Sequence, residues 1–192
     1  VTIEKNGQVT EGLGGDDFSR SGTGTYTYSS TYQAGEDAEF NATLVTAEDS
    51  DGNDGANSES GSTIVDTTPP TISGISVSDE TDTDGTVANG DDVRVIATVN
   101  DTMNGVASVT ANLSQFGAGS AVTLSHAGGD TYSNTVEVGS NGTPTNGNHT
   151  VTVEATDTDV HANAANATST DELTVDTTAP TVTDVGFNGS AT

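Results

Sequence analysis

The chain has 192 residues, 29 of them acidic and 3 basic, for a formal net charge of −26, and it contains no cysteine. Such a surface repels nucleic-acid phosphates and anionic membranes alike, and without thiols there is no disulfide, thiolate metal site or cysteine nucleophile. No run approaches the ~18 apolar residues of a transmembrane helix, so no direct membrane insertion is expected of this segment. Leu, Ile, Val and Phe supply about 18% of the residues, which at this charge borders on disorder. These residues are mostly Val and Ile, however, and they alternate with polar ones as half-buried strands require, which predicts a folded all-β chain. Self-repulsion is relieved in brine, where the Debye length falls to about 3 Å at ~1 M salt, so the composition points to a halophilic, haloarchaeal source.

Residues 1–66 read as the C-terminal part of a β domain, because their runs have counterparts further on. Val1-Thr2-Ile3 matches Val122-Thr123-Leu124, Tyr28-Ser29-Ser30-Thr31 matches Tyr132-Ser133-Asn134-Thr135, and Phe40 to Asp49 matches Asn148 to Asp157. Nothing before Val1 matches Ile72 to Ala121, so roughly three strands are expected outside this chain, a window on a longer protein. The domain ends in Val65-Asp66-Thr67-Thr68-Pro69-Pro70-Thr71, which returns as Val175-Asp176-Thr177-Thr178-Ala179-Pro180-Thr181. Prolines cannot donate to a ladder and threonines favour extended backbone, so residues 67–71 are expected to form a stiff linker between tandem domains.

Residues 72–177 form one complete unit with seven strand-like runs: Ile72–Ser78, Asp92–Asn100, Ala107–Phe116, Ala121–Leu124, Thr131–Val138, His149–Ala155 and Glu172–Val175. Turn signals such as Asn89-Gly90-Asp91, Asn104-Gly105 and Gly128-Gly129-Asp130 separate them. The expected inward faces are Val93/Val95/Ala97/Val99, Val109/Ala111/Leu113, Tyr132/Asn134/Val136/Val138 and Val151/Val153/Ala155. This pattern predicts tandem immunoglobulin-like β-sandwich domains of about seven strands each, with essentially no helix. Residues 178–192 read as a second linker and the first strand of a following domain.

The run Gly147-Asn148-His149-Thr150-Val151-Thr152-Val153-Glu154-Ala155-Thr156-Asp157, followed by Leu173-Thr174-Val175-Asp176-Thr177-Thr178-Ala179-Pro180, resembles the tandem Ig-like repeats of prokaryotic cell-surface proteins. Such repeats occur in large adhesins and S-layer-associated glycoproteins. The resemblance covers residues 72–192 well and 23–71 in part, with His149 standing where those repeats more often carry an aromatic. It implies a fold and a tandem architecture, and neither a ligand nor an activity.

Catalytic chemistry finds little support. His126, His149 and His161 are scattered, and there is no nucleophile elbow, phosphate-cradling glycine loop or His-Glu-x-x-His. Calcium is the sharper candidate. Asp49-Ser50-Asp51-Gly52-Asn53-Asp54-Gly55 places oxygens at alternate positions, although Asp54 and Ser60 depart from an EF-hand at positions six and twelve. Its counterpart is Asp157-Thr158-Asp159. Both loops lead towards the last strand, so Asp49 and Asp51 with Asp66, and Asp157 and Asp159 with Asp176, are candidate calcium ligands. A solvated halophilic loop is the competing reading, and it also covers the cluster from Asp79 to Asp84. Glycosylation sequons stand at Asn41, Asn100, Asn112, Asn141, Asn148, Asn166 and Asn188, with Asn141 and Asn166 expected in loops.

Together these features lead us to expect a non-catalytic, extracellular, cell-surface array acting as a rigid spacer in a surface layer, stalk or filament. Its partners would be neighbouring domains of the same array or other copies of the protein. Two rival readings stay open: an adhesin or carbohydrate-binding module facing surface glycans, and an accessory segment of a secreted hydrolase.

Overall fold

The structure is a computed structural model, and it describes residues 1–13, 17–20, 26–29, 36–48, 51–55, 59–158 and 162–186. Among the described residues there is no α-helix, and the chain is all-β, with several antiparallel sheets consistent with β-sandwich packing. It divides into two compact units. The first comprises 1–71 with 101–107 and 156–164, and the second comprises 72–100, 108–155 and 165–192.

The first unit contains strands β1 (Thr2–Lys5), β2 (Gln8–Gly12), β3 (Ser19–Arg20), β4 (Tyr26–Thr27), β5 (Ala38–Thr43), β6 (Ala47–Glu48), β7 (Asp54–Gly55) and β8 (Ser60–Val65). Its main sheet has the order β2-β1-β5-β8. The β1–β2 hairpin turns through Asn6 and Gly7, both at positive φ (50° and 76°), as a two-residue turn matched to strand twist requires. Strand β5 pairs antiparallel with β8 from Ala38↔Val65 to Thr43↔Ser60, which delivers Asp66 at the end of the ladder. Among the described residues, Leu13, Ala38 and Pro70 are the buried apolar side chains of this unit.

The second unit contains β9 (Thr71–Asp79), β10 (Thr86–Val87), β11 (Asp92–Asn100), β12 (Val106–Asn112), β13 (Val122–Thr123), β14 (Ser125–Gly128) and β15 (Thr131–Glu137). Strands β16 (Gly147–His149), β17 (Thr152–Asp157), β18 (Ala164–Thr168) and β19 (Leu173–Val175) follow; β9, β12, β17 and β18 reach a residue or two past the unit's boundaries. The sheets have the orders β14-β15-β11-β9, β13-β12-β17-β18 and β10-β19-β16. Val93, Val95, Ala97 and Val99 are buried in alternation along β11, and so are Val109, Ala111 and Leu113, and Val151, Val153 and Ala155. Each such valine contributes on the order of 1.5 kcal/mol of burial. On the fourth expected face only Val138 is buried; Tyr132, Asn134 and Val136 are half-buried.

Three expected strands depart from the runs read in the sequence: one ends early and two split. The run from Ala107 to Phe116 stops at Asn112, whose Oδ1 accepts from the Ser114 amide (3.1 Å) and hydroxyl (2.7 Å), and a 3₁₀ turn over Ser114–Phe116 follows. That turn closes on Gly117 at φ 69°, where a Cβ would stand 2.8 Å from the Gly142 carbonyl oxygen. The run from His149 to Ala155 splits because β16 pairs with β19 while β17 joins β12 and β18. The run from Ala121 to Leu124 splits likewise, with β13 on β12 and β14 on β15.

Candidate metal centre

Each Val-Asp-Thr-Thr stretch is held by hydrogen bonds with one side chain that precedes a paired strand. At the first, the Thr67 amide and hydroxyl donate to Asp37 Oδ1 (2.8 and 2.9 Å), and the Thr68 hydroxyl donates to Oδ2 (2.6 Å). At the second, the Thr177 amide and hydroxyl donate to Asn146 Oδ1 (3.0 and 2.7 Å), and Asn146 Nδ2 donates to the Thr178 hydroxyl (2.7 Å). The registers explain the match: Ala38 faces Val65 in one ladder and Gly147 faces Val175 in the other. In both, the aspartate also accepts from the amide two residues on, Asp66 from Thr68 (3.0 Å) and Asp176 from Thr178 (2.9 Å).

The two aspartates differ in their surroundings. Asp176 is exposed, whereas Asp66 is 3% exposed and its Oδ2 is buried with no hydrogen-bond partner. One carboxylate oxygen each from Asp66, Asp101 and Asp157 lie within 4.8 Å of one another, and all three residues belong to the first unit. Asp101 is fixed by its own turn, accepting from the amides of Met103, Asn104 and Gly105 at 3.0, 3.0 and 3.1 Å. Asp157 accepts from the Asn163 amide (3.0 Å) and from Asn163 Nδ2 (2.8 Å), and the same Nδ2 donates to the Asp66 carbonyl (3.1 Å). The Thr158 amide donates to the Gly105 carbonyl at 3.1 Å and its hydroxyl to the Asn104 carbonyl, so the turn bearing Asp101 is tied to the strand end bearing Asp157.

Burial pushes the Asp66 carboxyl above the usual range, the Thr68 amide opposes this, and the charges of Asp101, Asp157 and Asp37 add to the rise. Two full charges at ~4.8 Å repel by about 3–4 kcal/mol at an effective dielectric near 20. A hard cation held by these carboxylates would offset that repulsion. Calcium suits an all-oxygen donor set at 2.3–2.6 Å, because ligand pairs on one ion span up to about 4.8 Å.

A second group of three lies in the other unit: Asp79, Asp82 and Asp84, again with one oxygen each within 4.8 Å. Asp79 is 5% exposed; its Oδ1 accepts from the Thr81 amide (2.9 Å) and its Oδ2 is buried without a hydrogen-bond partner. Burial raises the Asp79 carboxyl, but the Thr81 amide and further donors of the loop outweigh it and the net displacement is downward. Asp82 is displaced upward, chiefly by its side-chain contact with Asp79.

The structure thus joins Asp66 to Asp157, two residues that the sequence had assigned to separate calcium groups, and adds Asp101, which it had not singled out. Asp51 and Asp176 are exposed and belong to neither group among the described residues, and Asp49 and Asp159 lie outside the described residues. Of the sequons, Asn141 is exposed in a turn, while Asn166 stands exposed on β18 rather than in a loop. Asn41, Asn112 and Asn148 are engaged with Glu39, Ser114 and Thr174, Asn100 is exposed at the end of β11, and Asn188 lies outside the described residues. Comparison with family models, with curated proteins and with solved structures finds no match to this chain.

Proposed function

We propose that the chain is a non-catalytic spacer from an extracellular, glycosylated surface array of a halophile, built of tandem Ig-like sandwiches and stiffened by calcium at Asp66, Asp101 and Asp157. The observation that carries this reading is the repeated clamp. Both Val-Asp-Thr-Thr stretches are pinned by three hydrogen bonds shared with the side chain preceding the paired strand, Asp37 in one case and Asn146 in the other. A loose tether needs no such fixing, whereas a spacer gains length only if its links are held straight. The unpartnered Asp66 oxygen beside two further carboxylates supports the calcium.

The absence of cysteine makes the test direct, since spin labels attach only where a thiol is introduced. Labels at Ser60→Cys and Ser125→Cys, both exposed positions, place one probe in each unit. In calcium-containing brine, pulsed electron spin resonance is expected to give a narrow distance distribution that broadens on Asp37→Ala. A broad distribution in the otherwise native chain overturns the spacer and favours a flexibly tethered binding module.

A further inference from the structure

We infer that the loop between β9 and β10 is a second, independent calcium site, formed by Asp79, Asp82 and Asp84, which fastens the last strand of the second unit. The buried Asp79 carboxylate, rather than the acidity of the loop, carries this inference. It is 5% exposed, its Oδ2 has no hydrogen-bond partner, and one of its oxygens lies within 4.8 Å of oxygens from Asp82 and Asp84. A buried acceptor left without a donor is costly in a folded protein. No basic side chain supplies the missing partner, since among the described residues neither Asp79, Asp82 nor Asp84 forms an ion pair.

One oxygen each of Asp82 and Asp84 is fixed by an amide of the loop itself. The Asp84 amide donates to Asp82 Oδ1 (3.4 Å) and the Thr86 amide to Asp84 Oδ1 (2.7 Å), while Thr83 and Gly85 adopt left-handed φ of 64° and 83°. The donor set is all oxygen and sits on a short loop with two exposed members, which suits the 6–8 adaptable ligands of calcium better than the rigid octahedron of magnesium. Water completes the shell.

The loop's position gives the site a task. It hands the chain to β10, which pairs in parallel with β19 (Thr86↔Thr174, Val87↔Val175). The Thr174 amide donates to the Gly85 carbonyl (3.1 Å) and the Asp176 amide to the Val87 carbonyl (3.0 Å). A cation that closes the loop therefore holds β10 in register, and through it the strand that runs into the second Val-Asp-Thr-Thr stretch.

The site does not depend on the spacer reading or on the Asp66 group, and the test separates them. The ¹⁵N-labelled chain carrying Asp101→Asn, which disables the first group but keeps its turn acceptor, is titrated with CaCl₂ to about 10 mM in metal-free brine, a range chosen for millimolar or tighter sites. Saturable shifts are expected at the Thr83, Gly85 and Thr86 amides, weaker with MgCl₂. Adding Asp82→Asn or Asp84→Asn, both exposed and so tolerated by the fold, should weaken the apparent affinity at least about tenfold. Linear shifts that never saturate would reduce the loop to screened surface charge and overturn the site. Saturable shifts unchanged in both variants would overturn the assignment to these carboxylates.

Discussion

The two Val-Asp-Thr-Thr stretches share sequence, register and clamp, and yet only one builds a charge cluster. Asp66 is buried beside Asp101 and Asp157, whereas Asp176 is exposed and joins no group of three among the described residues. The difference lies outside the motif. Asp101 is delivered by a turn whose three amides point at one of its own oxygens, and Asp157 is delivered by the end of β17 and oriented by Asn163. The repeated stretch thus supplies one carboxylate and a fixed backbone, and residues 35 and 91 positions further on decide whether that carboxylate joins a cluster.

The largest expected effect breaks the comparison at the aspartates themselves. With calcium at ~100 times its dissociation constant, linkage contributes about 2.7 kcal/mol to the folded state. Asp66→Asn should lose most of that stabilisation in calcium. In chelator the same change should be neutral or stabilising, because it removes a buried charge facing two others while keeping the acceptor for the Thr68 amide. Asp176→Asn should change neither condition. Thermal unfolding in brine, followed by circular dichroism with and without chelator, reads all four cases. An Asp66→Asn deficit of equal size in both conditions would mean that the carboxylate is structural and holds no ion.

A smaller effect isolates the residue that orients the cluster. Asn163 Nδ2 donates both to Asp157 Oδ2 and to the Asp66 carbonyl, so Asn163→Ala removes two hydrogen bonds worth about 1 kcal/mol each. Amide hydrogen exchange at Asp66–Thr68 should accelerate roughly tenfold, with Asp176–Thr178 unchanged. Equal acceleration at both stretches would show that Asn163 supports the whole chain rather than this group.

What the sequence disclosed and what it withheld follow from the reach of each signal. Strand β11 is legible to the residue, because Val93, Val95, Ala97 and Val99 alternate without interruption and all are buried. Strand β10 is not, since a two-residue run with one buried valine has no period to detect. Strand β18 is Ala-Ala-Asn-Ala-Thr, whose composition argues for a loop; pairing with β17 overrides it. Asp66 and Asp157 were visible as acidic residues at strand ends. Their association was not, because it depends on tertiary placement across 91 positions of chain. Asp101 had a local signal, an aspartate three residues before Asn104-Gly105, which marks a side chain-capped turn. The clamps escaped because the two equivalent positions carry different residues, Asp37 and Asn146, which identity between repeats does not connect.

That difference in clamp chemistry gives the smallest and most local effect, a pH dependence present at one stretch and missing at the other. The Thr68 hydroxyl, then the Thr67 amide and hydroxyl, hold the Asp37 carboxyl below the usual aspartate range. A folded-state value below the unfolded one means that the clamp's contribution is complete above about pH 4 and is lost as the pH falls through the lower, folded value. Asn146 makes the equivalent bonds with an amide and does not titrate. Following the amides by nuclear magnetic resonance from about pH 6 to pH 2 in chelator should therefore give three different curves. Thr67, bonded to Asp37, should shift with a midpoint below the usual ~3.9, and Thr68, bonded to the upward-displaced Asp66, with a midpoint above it. Thr177, bonded to Asn146, should stay flat. Asp37→Asn should flatten Thr67 and lower the Thr68 midpoint only slightly, since it removes the smallest of the three charges that raise Asp66. An asparagine there can donate to the Thr68 hydroxyl as Asn146 does to Thr178. Asn146→Asp should in turn bring Thr177 into the low-pH window. If Thr67 instead titrates at or above the usual aspartate value, the three bonds to Asp37 are not held in solution, and the likeness between the two stretches is one of sequence alone.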